Sequence, residues 1–255
     1  MEGRPAEKGR SVIVRMEGTK SVDLLPSEYS VNTRIHEYGG AAATVCPDGS
    51  LIFTDANISG VYKLSPSGSV EEIIKGDGEN NLRFGDFNVN PADPKWILAV
   101  QEEHGKEVLN TIVAIHAETK EIHPIASGYD FYSNCRFSHD GKHICMTRWN
   151  HPDMPWTGNE AVVYDWDNGK VSNETYVAGK ARTESICQPR WHLDGSLLFA
   201  SDRTGFWQMY QFDLTTMKTE YLRLDGLEQA DIGSPEFCIG KYVTVGHSFR
   251  GCGQS

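Results

Sequence analysis

A serine between glycines, in Gly246-His247-Ser248-Phe249-Arg250-Gly251, is the first place to look for a nucleophile. A G-x-S-x-G elbow lifts the serine hydroxyl out of a tight strand-to-helix turn, where a histidine can deprotonate it. Arg250 stands where the second glycine is required, and no helix-length segment follows within the 255 residues. A terminal loop is expected here, and no catalytic residue is assigned. A second cluster, His36-Glu37-Tyr38 before Gly39 and Gly40, offers a carboxylate that could hold an amine or pair across a domain boundary. The plainer reading is that the glycines allow a tight backbone approach and that His36 and Tyr38 anchor the turn. A third, from Trp149 to Trp156, is Pro-rich with a tryptophan at each end. It suits an apolar surface for a ligand or neighbouring domain, or else packs between sheets.

Metal chemistry finds little footing. Asp48, Asp140 and Asp194 each precede a glycine at the same place in a repeat, where aspartate bonds its own turn backbone. His139 and His143 are four apart, but Asp140-Gly141 between them is a turn, so helical ligand geometry does not apply. No metal site and no cofactor is expected. The polar run Lys75 to Asn81 reads as a solvated connector.

The elements that position these residues come from repeats. A turn followed by an apolar strand recurs at Cys46-Pro47-Asp48-Gly49, Ser138-His139-Asp140-Gly141 and His192-Leu193-Asp194-Gly195, with variants at 90–100 and 237–245. Asp-Gly is hairpin chemistry. A second series of hairpins, with turns near Gly18, Gly68, Lys120, Gly169 and Met217, runs in phase with the first at intervals of roughly 50 residues. Two hairpins per repeat make a four-stranded unit of the kind that stacks radially in a β-propeller. The strands are rich in Val, Ile, Tyr and Phe, and sustained helical periodicity is missing, so the fold class is all-β. The expected organisation is a single propeller over 1–255: a partial blade at 1–30, blades at about 31–80, 81–127, 128–180 and 181–228, and a partial blade at 229–255. With both ends cut mid-blade, the ring is expected to be open and the isolated chain prone to associate.

A formal net charge of -11 with scattered Lys and Arg excludes an electrostatic footprint for nucleic acid. The opening residues are charged, and no apolar run reaches the length of a signal core or a membrane span, so a cytoplasmic, membrane-free location is expected. The six cysteines, Cys46, Cys135, Cys145, Cys187, Cys238 and Cys252, form no CxxC pair and several sit in strand patterns, as buried thiols do.

Three loops carry a family resemblance. Thr33-Arg34-Ile35-His36-Glu37-Tyr38-Gly39-Gly40-Ala41 resembles the R-V-H-E-Y-G-G-G stretch of acylaminoacyl-peptidase-like and dipeptidyl-aminopeptidase-like members of the prolyl oligopeptidase family. Arg148-Trp149-Asn150-His151-Pro152-Asp153-Met154-Pro155-Trp156 is similar to that family's R-W-D-H-P-N-M-P-W loop. Gln188-Pro189-Arg190-Trp191 with Ser201-Asp202-Arg203-Thr204-Gly205-Phe206-Trp207 resembles its Q-P-x-W and S-D-R-T-G-W-W blade. The last pattern is shared with TolB-like propellers.

The resemblance implies a propeller that precedes an α/β-hydrolase domain with a Ser-His-Asp triad and screens its substrates. The implied partners are that hydrolase domain, which this sequence does not contain, and short peptides or acyl-amino acids. The chain alone is then expected to be inactive. Arg34, His36, Glu37, Tyr38, Trp149, His151, Met154 and Trp156 are the candidate residues for substrate or domain contact. A TolB- or WD-like protein-binding propeller and a metal-dependent lactonase-type propeller are the alternatives.

Overall fold

The computed structural model describes residues 1–240. Twenty strands are present among them, with a single 3-10 turn at Pro5–Glu7 and no α-helix. In chain order these are β1 (Glu2–Arg4), β2 (Arg10–Val12), β3 (Val14–Glu17), β4 (Lys20–Asp23), β5 (Ala43–Val45), β6 (Leu51–Thr54), β7 (Val61–Leu64), β8 (Val70–Ile74), β9 (Leu82–Val89) and β10 (Trp96–His104). They continue as β11 (Val108–His116), β12 (Ile122–Ala126), β13 (Phe131–Phe137), β14 (His143–Trp149), β15 (Glu160–Asp167), β16 (Lys170–Ala178), β17 (Ile186–Trp191), β18 (Leu197–Ser201), β19 (Gln208–Asp213) and β20 (Lys218–Tyr221).

Strands β5 to β20 form four antiparallel meanders of four strands, each in sequence order. The first forty residues supply two separate two-stranded sheets, β1–β2 and β3–β4. The turns that set the repeat behave alike: Gly18, Gly68, Lys120, Gly169 and Met217 all have positive φ. The Asp-Gly turns keep their aspartates at home, since Asp48, Asp140 and Asp194 accept the backbone N–H of Ser50, Lys142 and Ser196 at 2.9, 3.1 and 2.9 Å. The charged opening residues, where no strand was expected, pair as β1–β2, with Arg4 bridging Glu2 and Asp23.

Sheets that stack face to face must be apolar on both sides, which is why runs such as Trp96–Val100 do not alternate with polar residues. Ile97 and Ala99 pack with Ile52, Val61 and Ile73 of the preceding sheet, whereas Leu98 and Val100 pack with Tyr132, Ile144 and Met146 of the following one. The third interface joins Cys145, Ala161 and Val163 to Trp191, Phe199 and Tyr210. Each fully buried Val, Leu, Ile, Phe or Met among these contributes about 1.5–3 kcal/mol over an exposed one. This face-to-face succession of four-stranded meanders is the blade stacking of a β-propeller.

The first strands of three sheets share a bulge. Asp86, Asn134 and Gln188 have φ of 57°, 57° and 54°, and the ladder slips at each site, between Leu98 and Val100, Ser133 and Arg136, and Cys187 and Arg190. A bulge turns a side chain out of the alternating pattern. Here it sends Asp86, fully buried, to Arg136 of the next sheet, while the Asn134 N–H donates to the other Asp86 carboxylate oxygen at 2.7 Å. Trp191 Nε1 continues the chain of contacts, donating to the Arg136 carbonyl at 2.9 Å.

Four cysteines are buried and Cys238 is half-buried, all as free thiols. Burial pushes the Cys145 thiol up to about 11. Cys252 and Gly246–Gly251 lie outside the described residues, as do residues 241–245 of the expected fifth repeat.

Candidate functional site

The loop between β4 and β5 is built on an unusual backbone. His36, Glu37, Gly39, Gly40 and Ala41 all have positive φ, from 45° to 108°. The loop closes through Glu37 N–H to the Arg34 carbonyl at 2.8 Å and Gly39 N–H to the Ile35 carbonyl at 2.9 Å. Both glycines are needed for space as well as conformation: a Cβ on Gly39 would lie 2.3 Å from the Thr33 carbonyl oxygen, and one on Gly40 would lie 2.2 Å from that of Ile239. Left-handed residues other than glycine cost about 1–3 kcal/mol each unless the surroundings fix them.

Two buried charges do the fixing. Glu102 on β10 accepts the His36 N–H at 2.8 Å. Arg83 on β9 donates to Glu102 at 2.9 Å, to Glu37 at 2.8 Å and to the Arg34 carbonyl at 3.0 Å. His104 pairs with Glu102 from the same strand. The Glu37 carboxylate is divided between Arg83 and Arg34, the latter at 2.7 Å, and the Arg83 hydrogen bond holds its carboxyl below the usual range. A ligand oxygen or nitrogen from each of Glu37, Glu102 and His104 lies within 4.8 Å of the others, yet Arg83 Nη1 already contacts both carboxylates. A cation there would have to displace a guanidinium.

The Trp149–Trp156 loop meets this one through rings. His36 lies edge-on to Phe131 at 5.2 Å and to Trp149 at 5.8 Å, while Phe131 and Trp149 stack at 5.4 Å. His151 completes the cluster at 5.0 Å from Phe131. Trp149 is buried, whereas the His151 side chain is exposed, its Nδ1 and N–H both on Asp130 at 3.0 and 2.8 Å. The apolar surroundings lower His36 to about 4, so its ring is neutral at pH 7. Asp153, buried, pins the loop by accepting Thr157 Oγ1 at 3.0 Å and the Arg182 N–H at 3.1 Å. Trp156 packs on Phe237 at 4.4 Å. Tyr38, Met154 and Phe237 are left exposed around these loops. Arg148, beside Trp149 in sequence, points elsewhere and is bound by Glu160 and Glu174.

No family model and no curated protein sequence matches the chain. Solved structures do. A puromycin-hydrolysing peptidase of Mycobacterium tuberculosis superposes with a TM-score of 0.83 at 26% identity, over 93% of this chain and 38% of that one. A puromycin hydrolase gives 0.79 at 26% identity, over 93% and 39%. The chain is similar to the β-propeller portion of these peptidases. It spans about two fifths of the length of those two peptidases. TolB of Acinetobacter baumannii, with a TM-score of 0.53 at 17% identity over 81% of this chain and 47% of that one, shares the fold alone.

Within the propeller, the candidate residues divide. His36, Trp149 and His151 come together around Phe131; Tyr38 and Met154 stand in solvent; Trp156 turns to Phe237; Arg34 and Glu37 are occupied with Arg83. Sequence reasoning missed Arg83, Glu102, Phe131 and Phe237. Glu102 had a signal, because it shares the parity of Trp96, Leu98 and Val100 and so falls on a buried face of β10. A charge there demands a partner.

Proposed function

We propose that this propeller screens substrates for a peptidase: short peptides or acylated amino acids pass it on the way to a Ser-His-Asp site carried by an α/β-hydrolase domain. The chemistry would be acyl transfer to serine followed by hydrolysis, with no part of it performed by the residues of this chain. The observation that carries the reading is the meeting of the two loops that resemble the family's own, which lie more than a hundred residues apart in sequence yet share the cluster of His36, Phe131, Trp149 and His151. The exposed rings and thioether of Tyr38, Phe237 and Met154 supply apolar contact area beside it. Glu37 is a poor amine receptor while two arginines hold its carboxylate, so recognition by this surface is apolar and aromatic.

The test is to titrate the purified chain with short peptides, free and N-acylated, and to follow tryptophan fluorescence. Saturable binding that weakens several-fold in Tyr38→Ala or Met154→Ala supports the reading; no saturable binding of either peptide class overturns it. Chromogenic aminoacyl and acylaminoacyl substrates form the second arm. Turnover by the chain that a serine-directed inhibitor abolishes would refute the assignment of chemistry to another domain.

A further inference from the structure

Residues 232–240 leave the last sheet and run past β17 and β13 to the loop before β5 as a strap without a ladder of its own. Its start is held by Ile232 N–H on the Trp207 carbonyl at 2.9 Å and by Gly233, which sits so close to Cys187 and Trp207 that a Cβ there would lie 2.7 Å from the Cys187 sulfur. Its far end reaches the loop of the candidate site: Ile239 forms a parallel bridge with Gly40 and donates its N–H to the Gly39 carbonyl at 3.3 Å, while Cys238 Sγ donates to the Tyr38 carbonyl at 3.6 Å. Between these ends Phe237 covers Trp156. The strap therefore touches both loops of the site at once.

Its middle is fastened by a carboxyl group. Glu236 Oε2 accepts Asn134 Nδ2 at 2.9 Å. Glu236 Oε1 and Asn134 Oδ1 are both buried with no hydrogen-bond partner among the described residues. One amide donor is poor compensation for a buried carboxylate, and an oxygen left without a donor makes the charged form costlier still. The charged groups acting on Glu236 are Asp86 of β9, which opposes its ionisation, and Arg136 of β13 and Arg190 of β17, which favour it. Asp86 and Arg136 already pair with each other. Burial outweighs the arginines and pushes the Glu236 carboxyl up to about 7.

We propose that Glu236 is a proton-controlled latch, which when uncharged fastens the strap 232–240 over the two site loops and when ionised lets it go. In the released state the carboxylate reaches water and titrates near its ordinary value of 4.5. A group whose closed-state value is raised favours closure below the closed-state value and ceases to do so as pH climbs through it. The ratio of closed to open strap therefore falls by roughly tenfold per pH unit between about 5 and 7, and levels off above. Control of substrate access by the strap rests on the function proposed above. The latch does not, and the experiment addresses the latch alone.

Hydrogen exchange on the full chain at pH 5 and pH 8, corrected for intrinsic exchange rates, reads the strap at the Ile232 and Ile239 amides. Protection there should fall on the order of a hundredfold between the two pH values, while Met146 in the middle of β14 keeps its protection. Glu236→Gln, uncharged and of the same shape, should hold the strap protected at both. Unchanged protection in the wild-type chain overturns the latch without recourse to any variant. So does a parallel loss in Glu236→Gln, which would assign the effect to another group, and so does an equal loss at Met146, which would make the opening global.

Discussion

Glu102 does three things with two oxygens: it accepts the His36 amide hydrogen, pairs with Arg83 and meets His104. Arg83 depends on it, since the remaining carboxylate partner, Glu37, is more than half exposed and screened by water. Glu102→Ala therefore leaves a buried guanidinium half-compensated and a left-handed loop without its anchor. Breaking a buried pair from one side costs about 3–5 kcal/mol. Thermal unfolding should show a loss of that order, with exchange at the His36 amide rising before exchange in β14. Arg34→Ala is the control. Its ion pair with Glu37 is exposed on both sides, and a change within about 1 kcal/mol is expected from the same melts.

At the scale of elements, the bulges decide which strands speak to one another. Asp86 leaves the pattern of β9 and reaches Arg136 of β13, so that one buried ion pair joins neighbouring sheets. Arg136→Met should fold poorly, with a stability loss of about 3–5 kcal/mol measurable by denaturant titration, because Asp86 is left buried without its counter-ion. The double variant Arg136→Met with Asp86→Leu should recover much of the loss, since replacing both partners of a buried pair with apolar groups is often neutral. The loop before β5 makes the second prediction at this scale. Gly40→Ala adds a methyl group 2.2 Å from the Ile239 carbonyl at a φ of 108°. It should cost more than about 1 kcal/mol in thermal stability and should release Ile239 from Gly39, seen as faster exchange at the Ile239 amide.

The molecule as a whole inherits two opposed titrations. His36 is lowered from 6.5 to about 4 by burial, so the unfolded chain takes up a proton first as pH falls through 6.5, and stability declines until about pH 4. Glu236 is raised from 4.5 to about 7, so the unfolded chain ionises first as pH rises above 4.5, and stability declines until about pH 7. Thermal midpoints measured from pH 4 to 8 should be nearly level between about 4.5 and 6.5, where the two slopes cancel, and fall slightly on either side. Glu236→Gln should leave the His36 slope uncancelled, so that midpoints rise with pH to about 6.5 and stay level above it. His36→Asn, which tolerates the positive φ and carries no proton, should lower the whole curve by removing ring contacts and leave the Glu236 slope uncancelled, so that midpoints rise as pH falls from about 7 to 4.5, below which paired carboxylates such as Asp194, lowered to about 2, come to dominate.

The sequence by itself determined the repeat, because hairpin turns and apolar runs are local: Asp48-Gly49, Asp140-Gly141 and Asp194-Gly195 mark turns whatever surrounds them, and both-sided burial shows as unbroken apolar strands. It also marked two loops, since HEYGG and HPDMPW are unlike ordinary connectors in composition. What only the tertiary structure decided is what those loops touch. That His36 lies against Trp149, that Glu37 is spent on Arg83, and that Glu236 fastens a strap to Asn134 are contacts across 113, 46 and 102 residues of chain. They depend on the stacking of the sheets and on bulges at Asp86, Asn134 and Gln188, where an extra residue breaks the period of two and sends side chains to partners that alternation does not predict.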